Sequence, residues 1–239
     1  MISVCIATYN GEKYIKEQID SIIFQISDID EIIVSDDGST DMTLEILRNY
    51  NDHKIKIILN DKNKKGFIHN FENALNKANG EYIFLCDQDD VWLPNKVSMI
   101  LSELETVDLV YTNALMVDEK LRELGILYTK PNIGFFPNLK KNNFVGATMA
   151  FRRQLLYKAL PFPDKIPAHD HWLGLVAELY GKTSFIPEPL ILYRRHPLNV
   201  SQTGKKSTSS LTQKIKWRIN IIFALLMRYL KSKTLKHAL

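Results

Sequence analysis

Three carboxylates fall within four residues, Asp87-Gln88-Asp89-Asp90, directly after the run Glu81-Tyr82-Ile83-Phe84-Leu85-Cys86. That run reads as a buried strand, so the acids stand where a strand stops, the place at which open α/β sheets bind ligands. On an extended chain side chains two apart share a side, which points Asp87 and Asp89 together. Neighbouring carboxylates repel unless a positive charge lies between them. Hard divalent cations bound to substrate phosphates take one or two carboxylates and keep several waters. The same residues also suit an acidic turn capping a following helix, with Pro94 of Val91-Trp92-Leu93-Pro94 in its first turn.

Stepping along the chain, Ile2 to Ala7 forms a first strand that ends in Thr8-Tyr9-Asn10-Gly11. A helix from about Glu12 to Gln25 carries the stripe Ile15, Ile19, Ile22, Ile23 and Ile26. Strand two, Glu31 to Val34, ends in Ser35-Asp36-Asp37-Gly38-Ser39-Thr40-Asp41, which is turn and cap chemistry. Met42, Leu44, Ile46 and Leu47 mark the next helix, Ile55 to Leu59 the third strand, and Phe67 to Ala78 a helix stopped by Gly80. Strands alternating with helices imply an α/β fold with a Rossmann-like, mostly parallel sheet, right-handed crossovers and helices on both faces. Strand ends one, two and four then share one edge, which gathers Thr8, Tyr9, Asn10, Asp36, Asp37, Asp87 and Asp89. Beyond the acids the pattern is less regular: a strand over Val107 to Thr112, an irregular stretch to Asn143, a strand over Gly146 to Phe151, and a helix opening at Ala168-His169-Asp170-His171-Trp172. Short strands follow at Ser184 to Ile186 and Leu190 to Arg194, then a polar linker from Lys205 to Ser210.

The 239 residues, 45% hydrophobic and 24% charged, describe an ordinary globular chain. Cys5 and Cys86 both lie in expected strands and read as buried free thiols of a reducing compartment. The start lacks the basic region and cleavage site of a signal peptide, and no apolar stretch reaches the ~20 residues of a spanning helix. The formal charge of +4 hides an asymmetry: nine of the 31 lysines and arginines fall from Lys205 onward, where no Asp or Glu occurs, leaving 22 basic against 27 acidic residues before it. Within that tail Leu211, Ile215, Ile219, Ile222, Phe223, Leu226 and Leu230 recur at three- and four-residue steps among Lys214, Lys216, Arg218, Arg228 and Lys231. The stretch reads as a basic amphipathic helix suited to an anionic membrane surface, or as a helix docked on the body or on a second copy.

Thr8-Tyr9-Asn10-Gly11, Ser35-Asp36-Asp37-Gly38-Ser39, Asn79-Gly80-Glu81-Tyr82 and Cys86-Asp87-Gln88-Asp89-Asp90-Val91-Trp92 occur in the order found in family 2 glycosyltransferases, and roughly residues 1 to 200 resemble that family. Rhamnosyltransferase-like members, which build bacterial surface polysaccharides, also carry stretches similar to Tyr193-Arg194-Arg195-His196 and Asn199-Val200-Ser201. The resemblance implies an A-type glycosyltransferase domain over 1–204, with a nucleotide-binding half at 1–106 and an acceptor-binding half at 107–204, followed by the tail at 205–239. It implies a nucleotide-diphosphate sugar donor (dTDP-rhamnose or a UDP-sugar), Mg²⁺ or Mn²⁺, and a glycan or lipid-linked acceptor; no nucleic-acid partner is expected. By position Asp37 resembles the carboxylate that accepts a hydrogen bond from a pyrimidine ring, and Tyr9 the residue that stacks on or flanks it. Thr8, Asn10, Glu12 and Gln88 stand in the donor-binding segments; Asp87 resembles the residue near ribose and metal, Asp89 the direct metal ligand, and Asp170 the general base of inverting members. His196 is a further candidate metal ligand, and His169 and His171, flanking Asp170, leave a metal role for a histidine open there. The Gln-x-x-Arg-Trp motif of polymerising members is absent, which argues against a processive synthase.

Each role has a plainer counterpart. Asp37 suits a turn that caps the next helix, and Asp170 an N-cap. His196 suits a surface loop, and Lys64 and Lys65 a solvated one. Arg194 and Arg195 can clamp diphosphate oxygens bidentately or face solvent. Two other function classes use an acidic turn and a nucleotide. A nucleotidyltransferase would want a Gly-rich basic loop after strand one, where this chain has a single glycine; a non-catalytic nucleotide-sugar sensor would not need Asp87, Asp89 and Asp170 together.

Overall fold

The computed structural model describes residues 1–197, 199 and 209–236, with backbone alone for 231–236. Val200-Ser201 and most of the expected linker, 205–208, lie outside the described residues. The strands β1 (Ile2–Thr8), β2 (Glu31–Asp36), β3 (Ile55–Leu59) and β4 (Tyr82–Asp87) alternate with helices α1 (Ile15–Ile23), α2 (Thr43–Asn49) and α3 (Phe67–Lys77). Then come β5 (Val91–Trp92), α4 (Lys96–Leu104), β6 (Leu109–Val117), β7 (Glu123–Ile126), α5 (Phe135–Lys140) and β8 (Met149–Arg152). The chain continues through α6 (Leu156–Ala159), α7 (His169–Tyr180), β9 (Thr183–Arg194) and α8 (Leu211–Lys236).

All nine strands join one mixed sheet in the order β3-β2-β1-β4-β8-β6-β9-β5, with β7 paired to β6 as a hairpin. The strands β1 to β4 are mutually parallel, as the alternation with helices requires. Between β4 and β6 lies β8, antiparallel to both, and β9 then runs parallel to β6. Because β1, β2 and β4 are buried on both faces, they read as nearly unbroken apolar runs. Ile15, Ile19 and Ile22 bury the inner face of α1 on the side of Val4, Ile6 and Phe84. Phe71, Ala74 and Leu75 of α3 close the other side, with Trp172 and Phe144. Each such aliphatic or aromatic side chain contributes about 1.5–3 kcal/mol on burial. Both cysteines are buried and free, as expected.

Three expectations change, and one open alternative gains an answer. The helix after the acids does not begin at Pro94: Val91 and Trp92 pair with Leu192 and Ile191 instead, and α4 starts at Lys96 after Asn95 in the left-handed region (φ 67°). The stretch to Asn143 contains the β6–β7 hairpin and α5. The two short strands near the end are one, β9, whose register against β6 shifts near Pro187-Glu188-Pro189 because proline cannot donate to a ladder. The tail helix is not free: Ile221 and Leu225 are buried in the core beside Trp172, and Arg228 donates to the carbonyls of Leu160 and Pro161. Its outward side keeps the apolar stripe, with Leu211, Ile215, Ile219, Ile222, Leu226 and Leu230 all exposed.

Candidate active site

Parallel register places the site. Thr8 pairs with Asp36 at the end of β2, and Ala7 with Asp87 at the end of β4, so the polar ends of three strands share one edge. Within this edge the expected residues divide by what their side chains do. Tyr9 is half-exposed and Asp37 partly so. Asp37 accepts from Asn60 Nδ2 (2.9 Å) and Gly66 N (2.8 Å), which ties it to the loop before α3 rather than to the helix that follows it; the capping reading is thereby corrected. Its neighbours hold the turn, and of them Asp41 alone meets the first residue of α2. Asp36 accepts from Gly38 N and Ser39 N, and Asp41 from Thr43 N.

Thr8, Asn10, Glu12 and Gln88 turn their polar atoms onto the protein. Thr8 is buried and donates to Asp36 Oδ2 at 3.0 Å. Asn10 Oδ1 accepts from Thr40 N, and Glu12 Oε2 from Met42 N. The Gln88 amide spans Tyr9, accepting from its N–H at 2.9 Å and donating to its carbonyl at 3.1 Å. These four brace the loop that presents Tyr9. Gly11 permits this closure, since a Cβ there would meet Gln88 Oε1 at 2.5 Å.

At the acidic turn, carboxylate oxygens of Asp87, Asp89 and Asp90 lie within 4.8 Å of one another. His196 Nε2 sits 2.7 Å from Asp89 Oδ2, and Asn199 Nδ2 donates to the same oxygen at 3.0 Å. His196 is thus part of the site, not a surface histidine. Burial, then the charges of Asp89 and Asp170, push Asp87 up to about 7, with Lys96 pulling the other way. Burial, then the charges of Asp89 and Asp87, hold Asp90 well above the usual carboxylate range. By accessible area Asp87 is only half-buried; the crowding of protein atoms around it, rather than its surface, causes the shift. Lys64 and Lys65 are exposed in the loop before α3, as solvated loop lysines.

Asp170 enters from α7. It is the second residue of that helix, and Ala168 holds the N-cap position, so the N-cap reading does not hold. Its carboxylate accepts from His171 N (2.5 Å), Gly146 N (3.2 Å) and Asn142 Nδ2 (3.4 Å). Burial nevertheless outweighs these donors and raises it to about 6. The flanking histidines point elsewhere. His171 Nε2 meets Asn138 O at 2.9 Å, and His169 stacks on Phe71 with ring centroids 4.1 Å apart. Among the described residues neither joins the acidic group.

Sequence reasoning missed Lys96. It is fully buried, donates to Ala147 O at 2.8 Å and lies 4.6 Å from the Trp92 ring, with its pKa lowered by burial to about 8. The signal was present: Lys96, Ile100 and Leu104 share the buried face of α4 at four-residue spacing. Arg194, read as a phosphate clamp or a solvated residue, is neither. It is buried beneath the acidic turn. The donor set fits a hard divalent cation: three crowded carboxylates, the imidazole at Asp89, and Asp90 Oδ2, buried with no partner among the described residues. A groove of about 1220 Å³ between α3, residues 161–165 and α8 borders Asn60 and Lys64 but reaches none of Asp87, Asp89, Asp90 and Asp170.

Comparison with known proteins gives the family and the fold. Residues 3–160 match Glycosyl transferase family 2. An uncharacterized glycosyltransferase of Haemophilus influenzae is 29% identical over 245 residues, which cover 94% of this chain and 74% of that one. Among solved structures, S. aureus TarS crystallised with UDP-GlcNAc superposes with a TM-score of 0.73 at 22% identity, covering 94% of this chain and 66% of TarS. Glucosyl-3-phosphoglycerate synthase from Mycobacterium tuberculosis, in complex with Mn²⁺, UDP and phosphoglyceric acid, gives 0.59 at 20% identity over 95% of this chain and 78% of that one. Both share the A-type glycosyltransferase fold with this protein. With two thirds of its length inside the family match, the chain belongs to glycosyltransferase family 2.

Proposed function

We propose that the protein moves a sugar from a nucleotide-diphosphate sugar to a hydroxyl of a glycan or lipid-linked acceptor, with inversion at the anomeric carbon. One observation carries the reading: the ends of three parallel strands bring Thr8, Asp36 and Asp87 to one edge, where Asp89 meets His196 and where Asp170 is near enough for its charge to raise Asp87. Tyr9 and Asp37 face the base of the donor, where a fixed carboxylate matches a pyrimidine N3–H. Asp87 and Asp89, with His196, would hold Mg²⁺ or Mn²⁺. What a bound cation supplies is neutralisation of the charge that builds on the departing diphosphate. The acceptor oxygen forms its bond to the anomeric carbon as the bond to diphosphate breaks, and its proton passes to Asp170. Three N–H donors fix that carboxylate while leaving lone pairs for the incoming hydroxyl. A pKa near 6 keeps it ionised at neutral pH and still basic.

The tail motif Tyr193 to Asn199 supports a rhamnosyltransferase-like member of surface-polysaccharide synthesis, with dTDP-rhamnose or a UDP-sugar as donor. We assign catalysis to 1–204, in halves 1–106 and 107–204, and membrane attachment to 205–239. No helix among the described residues is long and apolar enough to cross a membrane. The exposed stripe of α8, with lysines and no acidic residue on the helix, matches an anionic membrane surface in both polarity and charge.

The test is incubation of the full chain with UDP-, dTDP- and GDP-sugars, with Mn²⁺ or EDTA. Release of nucleoside diphosphate together with a glycosylated acceptor supports the reading. Release of pyrophosphate would instead mark nucleotidyl transfer, and tight binding without turnover a sensor.

A further inference from the structure

Arg194 ends β9 almost fully desolvated, yet it carries a charge. A buried guanidinium persists only when its donors are met, and here three segments meet them. Its Nε donates to Asp89 O at 2.7 Å, one terminal nitrogen to Glu119 O at 2.9 Å in the β6–β7 turn, and the other to the Glu17 carboxylate on α1. Its own backbone N–H donates to Asp90 Oδ1 at 2.9 Å. The face of the guanidinium lies 4.7 Å from the Tyr14 ring, and the same ring packs against His196, centroids 4.8 Å apart. Arg194 therefore grips the backbone of one candidate cation ligand and, through Tyr14, the ring of another.

We propose that Arg194 is the positioning residue of the cation site. With Glu17 as counter-ion and Tyr14 as spacer, it holds Asp89 and His196 at their mutual distance before any cation arrives. This role rests on the cation site proposed above. Lysine cannot replace the fork: it is a point charge on a flexible stem, without the planar set of donors that reaches three acceptors at once.

The experiment is titration of full-length protein with Mn²⁺, with and without UDP, read from the six-line paramagnetic resonance signal of free Mn²⁺. Wild type is compared with Asp89→Asn, Arg194→Lys and Glu17→Gln, each also scored for its thermal midpoint. Glu17 is half-exposed, so Glu17→Gln leaves the core intact and covers the case in which Arg194→Lys fails to fold. Expected is Mn²⁺ binding by wild type, its loss in Asp89→Asn, and affinity weakened ~10–100-fold in Arg194→Lys and by a smaller factor in Glu17→Gln, the scale seen for partners of metal ligands. Wild-type affinity in Glu17→Gln and in folded Arg194→Lys, with Asp89→Asn defective, would overturn the positioning role alone. No Mn²⁺ binding by wild type would overturn the cation site and this role with it.

Discussion

His196 Nε2 lies 2.7 Å from Asp89 Oδ2, although 107 residues separate the two in sequence. That contact makes the acidic turn a composite of both halves of the chain. Asp89→Ala should abolish sugar transfer and move the thermal midpoint little, since it relieves the repulsion on Asp87 and Asp90 while removing the acceptor of His196 and Asn199, two effects of opposite sign. His196→Ala should lower turnover at limiting Mn²⁺ by ~10-fold or more and recover in part at high Mn²⁺, as expected when one ligand is lost. A nucleoside-diphosphate release assay over a Mn²⁺ series decides both. Full activity of Asp89→Ala, or of wild type in EDTA, would remove the cation from the reaction.

Asp170→Asn should retain UDP binding and lose transfer by ~10²-fold or more, the usual scale of general base catalysis. The base must be ionised to accept a proton, so log kcat/KM should rise with pH below about 6 and level off above it. The product should carry the opposite anomeric configuration to the donor, read by proton coupling in NMR. A product of retained configuration sinks single displacement outright.

The fold should also be acid-sensitive through His169. Burial lowers it to about 3 from 6.5, so the folded state keeps it neutral while the unfolded chain protonates. Its contribution is complete above pH 6.5 and is lost as pH falls toward 3, at up to about 1.4 kcal/mol per pH unit. Asp170 acts oppositely, because a carboxyl raised to about 6 takes up its proton more readily folded than unfolded, and acid relieves its burial between pH 6 and 3.8. His169→Phe keeps the stack on Phe71, so between pH 7 and 5 its midpoint should fall less than that of wild type. Parallel curves would assign the acid sensitivity to other groups.

The full chain should sediment with vesicles of phosphatidylserine and phosphatidylcholine at low salt and be released at high salt. Replacing two outward residues, Ile219→Asp with Ile222→Asp, should abolish sedimentation without lowering the thermal midpoint, because neither is buried. A chain ending at Ser210 should behave differently: it removes Ile221 and Leu225 from the core and should melt lower. Equal partition of the double variant and wild type would turn the stripe into a contact with protein instead.

What was legible in the sequence follows from burial. The strands β1, β2 and β4 announce themselves because both faces are covered, and the acids announce themselves because the polar ends of other strands gather on the same edge. The two-residue β5 has no periodicity to detect; only its partner Ile191-Leu192 makes it a strand. Pro187-Glu188-Pro189 split one long strand into two readings. Lys96 draws no reading from sequence and Arg194 reads as a diphosphate clamp or a solvated residue, because sequence shows type and spacing, whereas their burial depends on carbonyls contributed by distant segments. Likewise Gln88, Thr8, Asn10 and Glu12 were placed in the right loops, but only the geometry shows that their bonds run to the backbone and to Asp36.

The strand β5 has a consequence for biogenesis. The residues that anchor the acidic turn, Ile191 and Leu192 through the ladder and Arg194 and His196 through side chains, all come about a hundred residues after it. Closing so long a loop costs entropy before any contact rewards it, and such pairings form late. On the ribosome β1 to β4 can condense while the turn still lacks its far partners, so a nascent chain has the ends of β1, β2 and β4 on one edge before His196 can meet Asp89. On the function proposed above, turnover waits until β9 is made, and an unfinished chain would not consume its donor.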